Sequence, residues 1–243
     1  MFDPAAHLTV TPDFLEAAIV ALKASGRKPV ALADLPARMA QGDVEPLMAF
    51  TLDDGYKDNL EFALPIFERE YGRDHVEMAI TLGGLGNAYG DLGDATKSRD
   101  LLERALAINE REYGSDSTQV ALTLTNLGNA YYSLGDYAKQ RDILERALAI
   151  DEREHGKDST RVADTLTNLG IAYGKLDDQA KKRDMLERAL AIKVWAYGHD
   201  HVNVAQTLMN LGNAYMGLGD YAKQRDMQER ALAIQEREYG RDH

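Results

Sequence analysis

One phrase returning at a fixed interval constrains this chain more than any other feature. The run LERALAI occupies Leu102–Ile108, Leu144–Ile150 and Leu186–Ile192, and QERALAI occupies Gln228–Ile234, 42 residues apart each time. A second phrase keeps the same step: LGNAY at Leu85–Tyr89, Leu127–Tyr131 and Leu211–Tyr215, with LGIAY at Leu169–Tyr173. YGRDH stands at Tyr71–His75 and again at Tyr239–His243, where a fifth unit would begin. Self-similarity at a period of roughly 20–50 residues means a stack of like modules, each burying its apolar face against the next.

Each unit reads as two helices. In the second unit Val120, Leu124, Leu127 and Tyr131 fall within about 60° of one another on a helix advancing about 100° per residue. Ala121 and Gly128 lie a quarter-turn away, a face thin enough for another helix to approach closely. Gly135-Asp136 predicts the break, because Gly suits a left-handed cap and Asp can cap the next helix start. Gly93-Asp94 and Gly219-Asp220 repeat it, whereas the third unit has Asp177-Asp178 and keeps the break without the glycine. The second helix then runs through Leu144, Ala147, Leu148 and Ile150 and ends near Gly156. One such pair buries too little surface to stand alone, so stacking must carry the fold.

The combination L-G-x-x-Y, G-D-Y and E-R-A-L-A-I at one fixed period resembles tetratricopeptide repeats, in the 42-residue form found in kinesin light chains. The resemblance covers about residues 68–243. It implies an all-α fold: a right-handed superhelical array of helix pairs with a concave groove, four repeats plus a preceding half-repeat helix. One departure is visible. Where the family commonly has Ala, this chain has Ser98, Gln140, Lys182 and Gln224. The expectation is that their aliphatic stems lie along the helix interface with polar ends in water.

The groove side follows from helical phase. Opposite the Val120–Tyr131 stripe lie Leu122, Thr125, Asn129, Tyr132 and Ser133, with Asn129 about 180° from the stripe's centre. Asn87 and Asn213 hold the same place in the first and fourth units, and Ile171 in the third. A flanking row contains Asn126, Asn168 and Asn210, with Gly84 in the first unit. An exposed Asn offers both donor and acceptor, which suits the backbone of an extended peptide. By resemblance, tetratricopeptide grooves use Asn in the place of Asn129 in this way. The candidate peptide-binding set is therefore Asn87, Asn129, Asn213, Asn126, Asn168, Asn210, Tyr132 and Thr125. Local backbone bonding or inter-repeat bonding are the other roles open to these amides.

Charge narrows the partner. Lys and Arg total 28 against 40 Asp and Glu, a formal net charge of -12, which disfavours nucleic acid and anionic membranes. Lys175 is the single lysine at the groove-facing places, too little to clasp an acidic tail. The expected ligand is a protein or peptide, extended and neutral or basic, with no cofactor. Trp195, the only Trp, follows Val194 where other units have Glu-Arg pairs; it marks either a contact patch or local packing against the fourth unit.

Ahead of the repeats, the stretch Phe50–Asn59 reads FTLDDGYKDN. With its surroundings it resembles part of a polysaccharide deacetylase over about residues 4–69. That resemblance implies Asp53 as catalytic base and Asp54 as metal ligand, beside two histidines spaced H-[S/T]-x-x-x-H. His7, His75, His155, His199, His201 and His243 contain no such pair. Residues 1–67 are thus expected to be a truncated α/β segment capping the array of residues 68–243, with Pro46–Leu52 as a strand able to pair with Pro29–Leu32. The helix after the aspartates overlies the repeat period, Leu60 on Leu102 and Pro65 on Ala107, and so doubles as a half-repeat. The function expected is a non-catalytic binding scaffold; the alternative is a subunit or remnant of a metal-dependent deacetylase using Asp53 and Asp54.

The remaining expectations are negative or weak. The chain has no Cys, a start without basic residues or an apolar core segment, and no run approaching the ~20 apolar residues of a membrane helix, so a cytoplasmic location is expected. Ala231 and Leu232 are expected to face outward at the last helix, which makes end-to-end association of chains possible.

Overall fold

The computed structural model describes residues 72–240 continuously, the strands at 28–30 and 47–49, and the single positions 24, 65, 68 and 69. Strand β1 (Lys28–Val30) pairs in parallel with β2 (Leu47–Ala49), Lys28 opposite Leu47. This is the pairing expected of the Pro46–Leu52 segment. Pro29 is tolerable there because, among the described residues, each strand of a two-stranded sheet is an edge.

Among the described residues, eight helices follow in four pairs. They are α1 (Val76–Asp91) with α2 (Ala95–Tyr113), α3 (Thr118–Leu134) with α4 (Tyr137–His155), α5 (Thr160–Lys175) with α6 (Gln179–Tyr197), and α7 (Val202–Gly217) with α8 (Tyr221–Tyr239). The described residues fall into two compact bodies divided between Glu112 and Tyr113, so the first pair belongs to one and the other three pairs to the second.

The breaks lie where glycine and aspartate demand them. Gly135 sits at φ 76 as the C-cap of α3, and Asp136 accepts from the Lys139 N–H at 3.1 Å to open α4. In the third pair Asp177 itself adopts φ 66, and Asp178 caps α6 through the Lys181 N–H. The turns between pairs also cap their helices: Ser117 and Ser159 accept from Val120 and Val162, while His75 and His201 do so through Nδ1.

Helices α4 and α6 of the second body are each shared by two neighbours. In the second body Ala189 and Ile192 of α6 close on Val162, Ala163 and Leu166 of α5, with Leu148 of α4 packed alongside. On its other side, Leu186 of α6 packs with Leu211, Ala214 and Tyr215 of α7. Leu144 of α4 meets Leu169 and Tyr173 of α5 in the same way. Helix α5 also touches both α3 and α7 directly, whereas each second helix meets the first helix of the next pair. First helices therefore line the inner side of this body. Close approach needs the glycine of LGNAY: a Cβ at Gly128 would stand 3.0 Å from Leu144 Cδ2, and at Gly86 2.6 Å from Leu102 Cγ.

At the side-chain level one expectation holds and two change. Lys182 lays its stem over Gly174 as anticipated, and burial first, then Lys175, hold its ammonium below the usual lysine range. Gln140 does not reach water. It is 2% exposed, and its Oε1 is buried with no hydrogen-bond partner, since a Gln stem is shorter than a Lys stem. Ala231 does not face outward: it is 1% exposed and packs on Val204, Ala205 and Leu208 of α7, while Leu232 is 55% exposed. Those two positions differ by about 100° around the helix, enough to put them on opposite sides of the boundary.

Residues before the first pair carry the contacts of a second helix. Pro65, Glu68 and Arg69 are helical, and Glu68 meets Arg104 at 2.6 Å. Two periods later Glu152 meets Arg188 at 2.5 Å. The half-repeat read from the alignment of Leu60 with Leu102 lies mostly outside the described residues.

Candidate peptide-binding groove

Arginines of the second helices fix the turns that join the pairs. Arg104 donates to the Arg73 carbonyl at 2.6 Å, Arg146 to Ser115 at 2.6 Å and Arg188 to Lys157 at 2.9 Å, each 31 residues back. Arg111 and Arg153 reach the next carbonyls, of Asp74 and Asp116, 37 residues back. Charge-assisted bonds to carbonyls are stronger than neutral ones. Each bond ties a second helix to the turn that opens its own pair. The arginines lie in the repeated phrases, so a 42-residue step in Arg was the signal available in the sequence.

The residues read from helical phase differ in exposure. Asn129 on α3 and Asn213 on α7 are exposed, and Asn87 is exposed at the same place on α1 in the first body. Asn126, Asn168, Asn210 and Thr125 are half-buried, and Tyr132 is exposed. Thr125 is committed, donating to the Ala121 carbonyl at 3.0 Å. None of the six asparagine amides is committed to a hydrogen bond within the described residues. Around them stand exposed Leu122, Met209 and Met216, and the half-buried Ile171. The one acid at this level, Asp164, is paired with Lys193 at 2.9 Å. The lining is amide and apolar, with little free charge.

Charge is spent between repeats instead. Asp151 on α4 is buried and takes Thr165 Oγ1 at 2.9 Å and Arg161 Nε at 3.1 Å, both on α5. Tyr173 and Tyr215 donate to the exposed carboxylates of Glu145 and Glu187, and burial with that bond pushes both phenols up to about 12. Lysines lie over the core tyrosines in every pair, 4.7–5.2 Å from the rings of Tyr89, Tyr131, Tyr173 and Tyr215.

Trp195 is not packed locally. It is 82% exposed at the end of α6, in the place where Arg111 and Arg153 reach back to a turn. Val194 beside it does pack, against the α7 and α8 core. Asp53 and Asp54 lie outside the described residues. Among the described residues no helix is long and apolar enough to cross a membrane.

Comparison with known proteins gives the frame for this site. Family models described as Tetratricopeptide repeat match residues 57–111, 77–151, 119–194 and 204–243. No curated protein matches. Among solved structures, BtubC (BKLC) from P. vanneervenii is similar at TM-score 0.67 and 24% identity, covering 96% of this chain and 85% of that one. A putative kinesin light chain from Podosopora anserina with nearly identical TPR-like repeats is similar at TM-score 0.65 and 21% identity, over 75% of this chain and 87% of that one. The apo form of RapI is similar at TM-score 0.64 and 19% identity, over 75% and 66%. These likenesses concern the fold. The family matches begin at residue 57 and together span well over half the chain. The chain belongs to the tetratricopeptide repeat family.

Proposed function

We propose that this protein is a non-catalytic scaffold that binds an extended, neutral or basic peptide along the inner faces of its first helices. The observation that supports this is the recurrence of exposed, uncommitted amides: Asn129 and Asn213 in the second body and Asn87 at the matching place in the first. A chain running along the inner face of the second body meets Asn129 and Asn213 on either side of Ile171, with Asn126, Asn168 and Asn210 beside them at a constant step, which matches a backbone better than a compact ligand. Apolar side chains between the amides supply the area that direct hydrogen bonds alone would lack.

The test is a peptide-array screen with the intact chain, repeated with Asn87, Asn129 and Asn213 changed to Ala. Each peptide hydrogen bond contributes about 0.5–1.5 kcal/mol, so losing three weakens binding by roughly tenfold or more. Undiminished binding by the triple variant removes the amide row from the site. Tight, salt-sensitive capture of acidic-tail peptides overturns the assignment of ligand charge.

A further inference from the structure

One cation–aromatic contact in the second body does not repeat. Tyr132 at the end of α3 and Tyr137 at the start of α4 form a tilted pair, ring centroids 5.8 Å apart and planes at 55°. The Lys175 ammonium, from the end of α5, lies 5.6 Å from the first centroid and 5.7 Å from the second. An ammonium within about 6 Å of a ring face is attracted by its quadrupole. The lysines over Tyr89, Tyr131, Tyr173 and Tyr215 recur once per pair and stay within it, so they belong to the construction of every repeat. The Tyr132–Tyr137–Lys175 contact spans two repeats and occurs once.

Its surroundings separate it further from the core. Tyr132 lies on the inner face, one turn beyond Asn129, and is exposed, as is Lys175. The equivalents of Lys175 are Asp91, Ser133 and Gly217, so nothing in the shared architecture calls for a cation there. Lys175 is also repelled by Lys182 on α6, whose ammonium it helps to depress. The two rings thus hold a cation that no other unit carries at this place.

We infer that the Tyr132–Tyr137 ring pair is a receiving site for the ammonium or guanidinium of a lysine or arginine side chain on the bound peptide, with Lys175 filling it in the free protein. The inference rests on the groove reading and deepens it by naming the ligand chemistry at one point. Lys175 swings into water when the incoming cation takes its place, and the net charge of -12 favours that exchange for a basic ligand. Removing the resident cation and removing the rings must therefore act in opposite directions.

The experiment titrates the full chain and three variants, Lys175→Gln, Tyr132→Leu and Tyr137→Leu, with N-acetyl-trimethyllysine amide and its neutral isostere, in which carbon replaces the ammonium nitrogen. Ring signals of Tyr132 and Tyr137 are followed by NMR. The expected result is that Lys175→Gln binds the cationic probe about 2–5-fold more tightly than the parent, that either Tyr variant loses the response, and that the neutral probe gives none. Equal affinity in Lys175→Gln and parent, no response at all, or an equal response to the neutral probe overturns the inference. The same variants are then run on array-selected peptides. Asn-dependent peptides without basic preference and indifferent to Lys175→Gln refute the ring site and leave the groove standing, whereas a cationic-probe response without any Asn-dependent peptide refutes the groove and leaves the ring site.

Discussion

The glycine of LGNAY offers one substitution made four times against a graded series of neighbours. Placing Ala in a helix interior in place of Gly stabilises by about 1 kcal/mol, because the unfolded chain loses freedom. Against this stands contact with the second helix. At Gly86 the new Cβ lies 2.6, 3.0 and 3.3 Å from three carbons of Leu102, whose side chain is fully buried. Relaxing to the ordinary ~3.5–4.0 Å requires the whole branch to move about 1 Å, at an overpacking cost of about 1–3 kcal/mol. At Gly128 and Gly170 the nearest carbons, of Leu144 and Leu186, are at 3.0 Å, and the two terms nearly cancel. At Gly212 the facing residue is the exposed Gln228, and nothing lies nearer than 3.4 Å. Gly212→Ala is therefore expected to stabilise by about 0.5–1 kcal/mol, Gly128→Ala and Gly170→Ala to be near neutral, and Gly86→Ala to destabilise by up to about 2 kcal/mol. Denaturant midpoints, with amide exchange read separately in each helix pair, measure the order, since repeat arrays need not unfold as one unit. A chain in which Gly86→Ala is as stable as Gly212→Ala would refute the claim that this glycine sets the helix spacing.

Three further outcomes follow from the same geometry. Asp177→Gly replaces a non-glycine residue at φ 66 and should raise the denaturation midpoint, by about 0.5–1 kcal/mol in stability. Asp151→Ala strips the carboxylate from the buried Arg161–Thr165 contact and should cost about 2–4 kcal/mol, with amide protection lost first where α4 meets α5. Tyr173 and Tyr215 hold their protons more tightly folded (about 12) than unfolded (about 10), so their contribution is complete below pH ~10 and is lost as pH rises from about 10 to 12. Because each hydroxyl meets an exposed carboxylate, screening leaves about 1 kcal/mol apiece. In the Tyr173→Phe, Tyr215→Phe double variant the fall in stability over that alkaline range should disappear.

Local chemistry made most of the fold legible. The stripes, the Gly135-Asp136 break and the Asp178 cap depend on neighbours a few residues away, so period and cap signals sufficed to place them. Position across the interface was harder. Ala231 and Leu232 belong to a phrase common to every unit, and that phrase alone does not say which face a helix turns to its own partner and which to the next pair. Trp195 looked able to pack because it is apolar, but it inherits the backbone direction of an arginine that points to an exposed turn, and it follows that direction into solvent. The asparagine rows were visible from helical phase. The Tyr132–Tyr137–Lys175 contact was not, because its members lie on three helices and share no interval.

The paired arginine bonds bear on how the second body bends. The turn before α3 is tied at two successive carbonyls, of Ser115 and Asp116. The turn before α5 is tied by Arg188 at Lys157, and Trp195 stands where the other tie would originate. Elastic compliance should therefore concentrate at the junction of the second and third repeats, like a spring with one thinner coil. Lys175 stands at the other end of α5 from that turn, so a small rotation there is carried along the helix to the place where Lys175 meets its tyrosines, and Trp195→Arg would stiffen the turn.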